Sequence, residues 1–426
     1  DQCKALIIGL QKRGAVVGSS LNTAYLLERL SQTLERLETL MAIFVSNRYL
    51  PRRILLLTGC FARAAAERHS ISRLWKQSSG LIARSVTQNA GDHGEHYITR
   101  DKKEYWAMFY SAAGGGVLIA LMALFKTYLG SIIDDKVWKG LAEGLNYGFG
   151  FMVIFMLHFT VATKQPAMTA ARFAEAVEKN PQGKTLNMKL AQLLVDVFRS
   201  QSVAVLGNVV VAMGLAALIA FVYQHQTGEP LMNSENIAYQ LHRIDPLDGS
   251  LWFAAIAGVW LFCSGIISGY FDNRSNYLNM RMRLAQHPLL KKLMSEKSRV
   301  KFANYMHENY GSLIGNFCFG MLLGLTGLVG YLTHLPLDIR HVAFSSANLG
   351  YSAVSGQFAY PFFLQCIAFV LLIGLVNLMV SFSLTLWVAL RSLNTEIDSW
   401  WAIWHEVCQI VKKRPLSLFF PVQLDK

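Results

Sequence analysis

The sequence predicts an all-α, polytopic membrane protein with six transmembrane helices, long cytoplasmic helical extensions and repeated helical hairpins. Three observations carry that expectation. Of the 426 residues, 53% are hydrophobic and only 16% charged, whereas a soluble domain is about one quarter charged. The apolar residues gather in runs of about twenty, the length that crosses the hydrocarbon core of a bilayer. The net charge of +13, from 40 Lys+Arg against 27 Asp+Glu, alternates in density from one gap between runs to the next, as topology requires. Aromatic residues at 12% exclude a disordered chain.

The expected spans are Trp106–Phe125, Leu145–Thr163, Val203–Tyr223, Leu251–Phe271, Ser312–Leu332 and Phe362–Leu390. The first five are about 30 Å long at 1.5 Å per residue; the sixth is longer and must tilt or emerge. Lys and Arg in alternate gaps total 35 on one side and 5 on the other, which puts both termini in the cytoplasm of a bacterial inner membrane. Tyr128, Tyr147, Tyr223, Trp252, Tyr331 and Tyr360 fall at the outer ends of the spans, where amphipathic rings favour the headgroup level. All six cysteines fall in spans or cytoplasmic segments, so no disulfide is expected. The chain opens at Asp1 with no signal-peptide pattern, and is read as the tail of a longer polypeptide or a trimmed one.

Three regions follow: a cytoplasmic helical region 1–104, a membrane domain 105–390, and an amphipathic tail 391–426. In the first, Leu27, Leu30, Leu34, Leu37, Met41 and Phe44 recur at coiled-coil spacing. Pro51 ends that helix, and Gly91–Gly94 forms a loop before the first span. In the membrane domain, 151–223 and 259–331 resemble each other: Gly207-Asn208 matches Gly315-Asn316, and Pro181 and Pro288 end the two cytoplasmic excursions. Repeats of like direction imply an axis along the membrane normal. In the tail, Trp400, Trp404, Val407 and Val411 share one helical face ahead of a Lys-Lys-Arg end, a pattern suited to the membrane surface.

No phosphate-binding loop, HExxH or GxSxG is present, and Gly114-Gly115-Gly116 sits inside an apolar span, where glycine permits close helix packing. No catalytic, cofactor or metal residues are predicted, and the residues read alone predict no enzyme. Polar side chains inside the spans carry more information, because lipid exposes them at a cost. The ordinary reading of His158, Asn208, Ser264, Ser268, Asn316, Asn377 and Ser381 is interhelical hydrogen bonding; the sharper one makes them candidates for a polar cavity open to the cytoplasm or inner leaflet. Lys164, Gln165 and Pro166 at the inner interface, Arg340 and His341 in an outer loop, and Trp400 and Trp404 in the tail are candidate interface or lipid contacts. The outer segment 338–351 is apolar and small for a solvated loop, and is expected to pack as a partial or re-entrant helix.

The runs Leu157-His158-Phe159-Thr160 and Thr163–Thr169, with Leu337–Val342 and Ser345–Gly350, resemble the proteobacterial membrane family labelled site-specific recombinase, over essentially the whole chain. Membership implies an additional N-terminal portion and, by its label, DNA strand exchange. No His here is followed three residues later by Arg, the pattern a tyrosine recombinase uses. The reading therefore favours a transporter, channel or lipid-handling protein. Its alternatives are a membrane scaffold whose basic cytoplasmic helices bind a protein or nucleic acid, and the recombinase. Anionic membrane lipids are the expected partners, with a homo-oligomer or partner protein next; nucleic acid and cofactors are not expected.

Overall fold

The computed structural model describes residues 2–17, 21–45, 50–67, 99, 101–161, 184–392 and 399–421. Among these there is no strand. The helices are α1 (Gln2–Val17), α2 (Leu21–Val45), α3 (Leu50–Glu67), α4 (Lys102–Ile132), α5 (Lys136–Met156), α6 (Lys184–Thr227), α7 (Ser234–Ile244), α8 (Ser250–Tyr277), α9 (Met280–Gln286), α10 (Pro288–Leu293), α11 (Glu296–Thr333), α12 (Val342–Ser355), α13 (Tyr360–Ser392) and α14 (Trp400–Lys413).

Five of them, α4, α6, α8, α11 and α13, are long and apolar enough to cross a membrane. The sequence predicted six. The difference lies in α5, which begins nine residues before the expected second span and carries Lys136, Lys139 and Glu143 in its first turns. Asp135 caps it, accepting from the amides of Val137 and Trp138. It ends at Met156, because His158 turns left-handed at φ +58°, a conformation that interrupts a right-handed helix.

Glycines set how closely the helices meet. Down the antiparallel α5–α11 contact, Gly140 faces Leu328, Gly144 faces Gly324, and Gly148 faces Phe317. A Cβ on Gly320 or Gly324 would overlap the backbone of α5. Gly116 lets α4 approach the backbone of Asn208 and Ala212 on α6, the close packing that the glycine run predicts.

The two spans of the first repeat unit do not pack on each other: α6 packs on α4 and α12, and α5 on α11, whereas in the second unit α8 packs on α11. Gly207 accordingly meets Ala112 of α4, whereas Gly315 meets Ser264 and Ser268 of α8. The second excursion does not continue α8 as one helix: Asn279, at φ +49°, breaks it into α9 and α10. The first excursion, and with it Pro181, lies outside the described residues, as does the loop Gly91–Gly94.

The expected re-entrant segment is helix α12, and it is the centre of the bundle. Ten of its residues are buried, among them Phe344, Ser346 and Tyr351, and α6, α13, α4 and α7 surround it. Small residues permit this: Gly350 lies against the backbone of Met213. No side chain of its own caps α12. Asn377 of α13 does so from outside, its Oδ1 accepting from the Val342 amide at 3.1 Å. An orphan N–H at a helix start, buried as this one is, needs such a partner.

At the opposite end, α14 packs Ile403 and Val407 onto Leu190, Ala191 and Val195 of α6. Trp400 and Trp404 stay exposed. The guanidinium of Arg199, also on α6, is buried there. It donates to the carbonyls of Thr99 and Ser417 and to Asp196 Oδ1, joining three distant stretches of chain. In α2 the predicted seam forms on one helix, but Leu30, Leu37 and Met41 are exposed.

Candidate functional site

The turns α4–α5, α6–α7, α7–α8, α11–α12 and α12–α13 all lie at one end of the bundle. Between them is a cavity of about 1170 Å³, at or above the roughly 300–1,000 Å³ of small-molecule sites. Its walls come from the last turns of α4, the first of α5, the end of α6, helix α7, the end of α11, and the segment that leads into α12. Leu124, Ile219, Leu231 and Leu328 give it an apolar lining; Lys126, Lys136, Lys139, Glu143, Arg243 and Asp338 give it charge.

Those charges are ordered by ion pairs. Glu143 holds Lys126 at 3.0 Å across the α4–α5 hairpin. Asp338 receives Arg340 at 2.6 Å and Arg243 at 3.4 Å. Arg340 donates further to the carbonyl of Arg243 and lies over the Phe253 ring, 4.9 Å from its centroid. Burial opposes ionisation of Asp338, but Arg243 and Arg340 outweigh it and hold its carboxyl down at about 2. The pair Arg243–Asp338 therefore fixes α7 to the segment 334–341, and both stay charged across the physiological range.

The sequence-predicted cavity residues are dispersed over separate helix contacts. Asn208 bridges α4 and residue 160 through the carbonyls of Ala112 and Thr160. Asn377 bridges α8, α12 and α13, donating to Ala254 O at 2.7 Å and Arg340 O at 2.9 Å. Asn316 donates to Ser312 O within its own helix. Ser264 and Ser268 lie on α8 and Ser381 on α13; all three are buried, and Ser264 donates to Leu261 O. His158 is exposed, and its carbonyl accepts from Ser111. None of the seven lines the cavity; interhelical bonding, the ordinary reading, accounts for Asn208 and Asn377.

Among the interface candidates, Lys164, Gln165 and Pro166 lie outside the described residues. Arg340 and His341 are not interfacial: both are buried, 6% and 1% exposed, because the segment they occupy descends into the bundle to start α12. Trp400 and Trp404 are exposed on α14, where a surface contact requires them. Sequence reading missed the pairing of Lys126 with Glu143 and of Arg243 with Asp338, residues that lie in the gaps between the expected spans. The available signal was opposite charge recurring at the same predicted level.

His341 sits among Phe151, Phe319 and Phe344, ring centroids 6.3, 5.8 and 6.0 Å away. Burial pushes its imidazole down to about 4, so the folded protein keeps it neutral where the unfolded chain, near the usual 6.5, takes up a proton. Stability is then fully present above about pH 6.5 and declines as pH falls towards 4, by about 3 kcal/mol from this residue. His341→Gln should flatten that part of the pH–stability curve. An unchanged slope in thermal melts between pH 7 and 4 would show that His341 is not its source.

An α-helical membrane-associated protein with a charged cavity at one end of its bundle is the class that the fold and site define. The model of a family described as site-specific recombinase matches residues 1–421, and the chain belongs to that family. Comparison with curated proteins and with solved structures gives no match. The expectation that the chain is not an enzyme is corrected by this membership, because a recombinase is an enzyme class.

Proposed function

We propose that this is an inner-membrane protein that takes a ligand into the charged cavity, as a transporter or lipid-handling protein. In this reading α5 completes a sixth crossing, both ends of the described chain face the cytoplasm, and the cavity opens on the outer side. The observation that carries it is the Arg243–Asp338–Arg340 cluster at the cavity wall. Charged groups that converge on a largely apolar concave site mark it as a ligand site by default. The surplus of Lys and Arg at the opposite end supports the orientation.

Single cysteines in a cysteine-free background test both halves of the proposal. Leu247→Cys, on an exposed turn, and Asn348→Cys, in the cavity wall, should react with an impermeant thiol reagent in intact cells. Leu293→Cys should react only after lysis. The inverse pattern would overturn the orientation. Silence of Asn348→Cys from both sides would remove the cavity as a ligand site.

The family description favours a second reading, strand exchange on DNA. The exposed basic residues Arg281, Arg283, Lys291, Lys292, Lys297 and Lys301 would then form the DNA-facing surface. Duplex binding by the purified chain, weakening steeply with salt and with charge reversal at these positions, would support it. Salt-insensitive or absent binding would exclude it.

A further inference from the structure

Resting on the reading that the cavity is a ligand site, we infer that its occupant is an anionic phospholipid. Lys136 and Lys139 would hold the phosphate, and the α4–α6 side would hold the chains. Two observations converge on this. The first is charge. Four cations line the cavity against two carboxylates, and both carboxylates are engaged: Glu143 with Lys126, Asp338 with Arg243 and Arg340. Among the described residues no carboxylate pairs with Lys136 or Lys139. They lie three residues apart near the start of α5 and both line the cavity, one head reaching towards α11 and the other towards α4. Lys136 Nζ rests 4.2 Å from the centroid of the Tyr331 ring, and Lys139 Nζ lies over the backbone at Gly130. Two cations without acidic partners, at the mouth of a cavity, fit a phosphate and its negative charge.

The second observation is the shape of the wall. Leu121, Phe125, Tyr128 and Tyr223 line the cavity and are exposed. Phe125 and Tyr128 stack with centroids 6.3 Å apart. Leu121, Phe125 and Tyr223 belong to helices long and apolar enough to span. With α4 and α6 crossing the bilayer, this apolar part of the lining would lie on the lipid side of the mouth. A free phosphate would need the two lysines and nothing of this apolar gate; a phospholipid uses both.

The test is native mass spectrometry of the purified full chain in detergent, with dioleoylphosphatidylglycerol, dioleoylphosphatidylcholine and inorganic phosphate as separate probes. One phosphatidylglycerol per chain should be retained preferentially, and Lys136→Gln/Lys139→Gln should weaken its binding roughly thirtyfold, from about one charge-contact's worth of energy per lysine. Lys136→Arg/Lys139→Arg should keep most of the affinity, which separates lost charge from lost structure. Phosphatidylglycerol should also protect Asn348→Cys from the thiol reagent. Equal retention of phosphatidylcholine, or displacement by equimolar inorganic phosphate, would overturn the lipid assignment. Failure of every probe to bind, with Asn348→Cys still reactive, would overturn it while leaving the ligand cavity standing; an unreactive Asn348→Cys would remove both.

Discussion

Gly324→Leu is expected to yield no folded protein. A side chain there meets the backbone of Gly144 and Glu143 on α5, and backbone has no rotamer by which to withdraw. Relief would require α5 and α11 to separate along the tightest contact of the bundle, taking Glu143 and hence the cavity wall with them. The cost exceeds about 4 kcal/mol, the range reserved for overpacking of this severity. Gly214→Ala is the control: nothing lies within 4 Å of a Cβ there, and helix propensity alone should stabilise it by up to about 1 kcal/mol. Size-exclusion profiles of the two proteins in detergent would decide the matter, and a monodisperse Gly324→Leu would contradict the packing described.

Asn377→Leu should destabilise far more than Asn316→Leu, although the two residues look alike in the sequence. Asn377 serves three backbone groups on other segments: the Val342 amide and the carbonyls of Ala254 and Arg340. Leucine leaves the first amide of α12 buried without an acceptor, and the loss is on the order of 3 kcal/mol. The Asn316 amide bonds to its own helix, where a replacement leaves no other segment unpaired, and the cost should be under about 1 kcal/mol. Comparable melting shifts for the two variants would refute this division.

The contrast shows what was legible in the sequence. Long apolar runs announce α4, α6, α8, α11 and α13, since a bilayer imposes length on each helix independently of its neighbours. Helix α5 was displaced because its stability comes from glycine-mediated contact with α11 rather than from apolar length, and its first turns carry charge. Segment 338–351 reads as unusual because its small residues suit close packing, and it is a helix; its depth was not legible, so Arg340 and His341 were placed at an interface. Burial there depends on Asn377, thirty-five residues downstream of Val342, a partnership with no local signature. The cavity charges were missed for a related reason. Lys126, Glu143, Arg243 and Asp338 acquire meaning only through pairs that tertiary structure brings together.

Arg199 bears on the order in which the protein is made. Its guanidinium bonds to a carbonyl 218 residues further along the chain, so that contact cannot exist until α7 to α14 have left the ribosome. At roughly 5–20 residues per second, synthesis of that stretch takes on the order of 10–40 s. Throughout this interval Arg199 can bond only to the Thr99 carbonyl and to Asp196, both made before it, and lacks the Ser417 carbonyl that completes its enclosure. The lower end of the bundle is therefore the last part to close. A chain that stops short of Ser417 lacks the bond that ties its last segment to α6, and that end of the bundle stays unfastened.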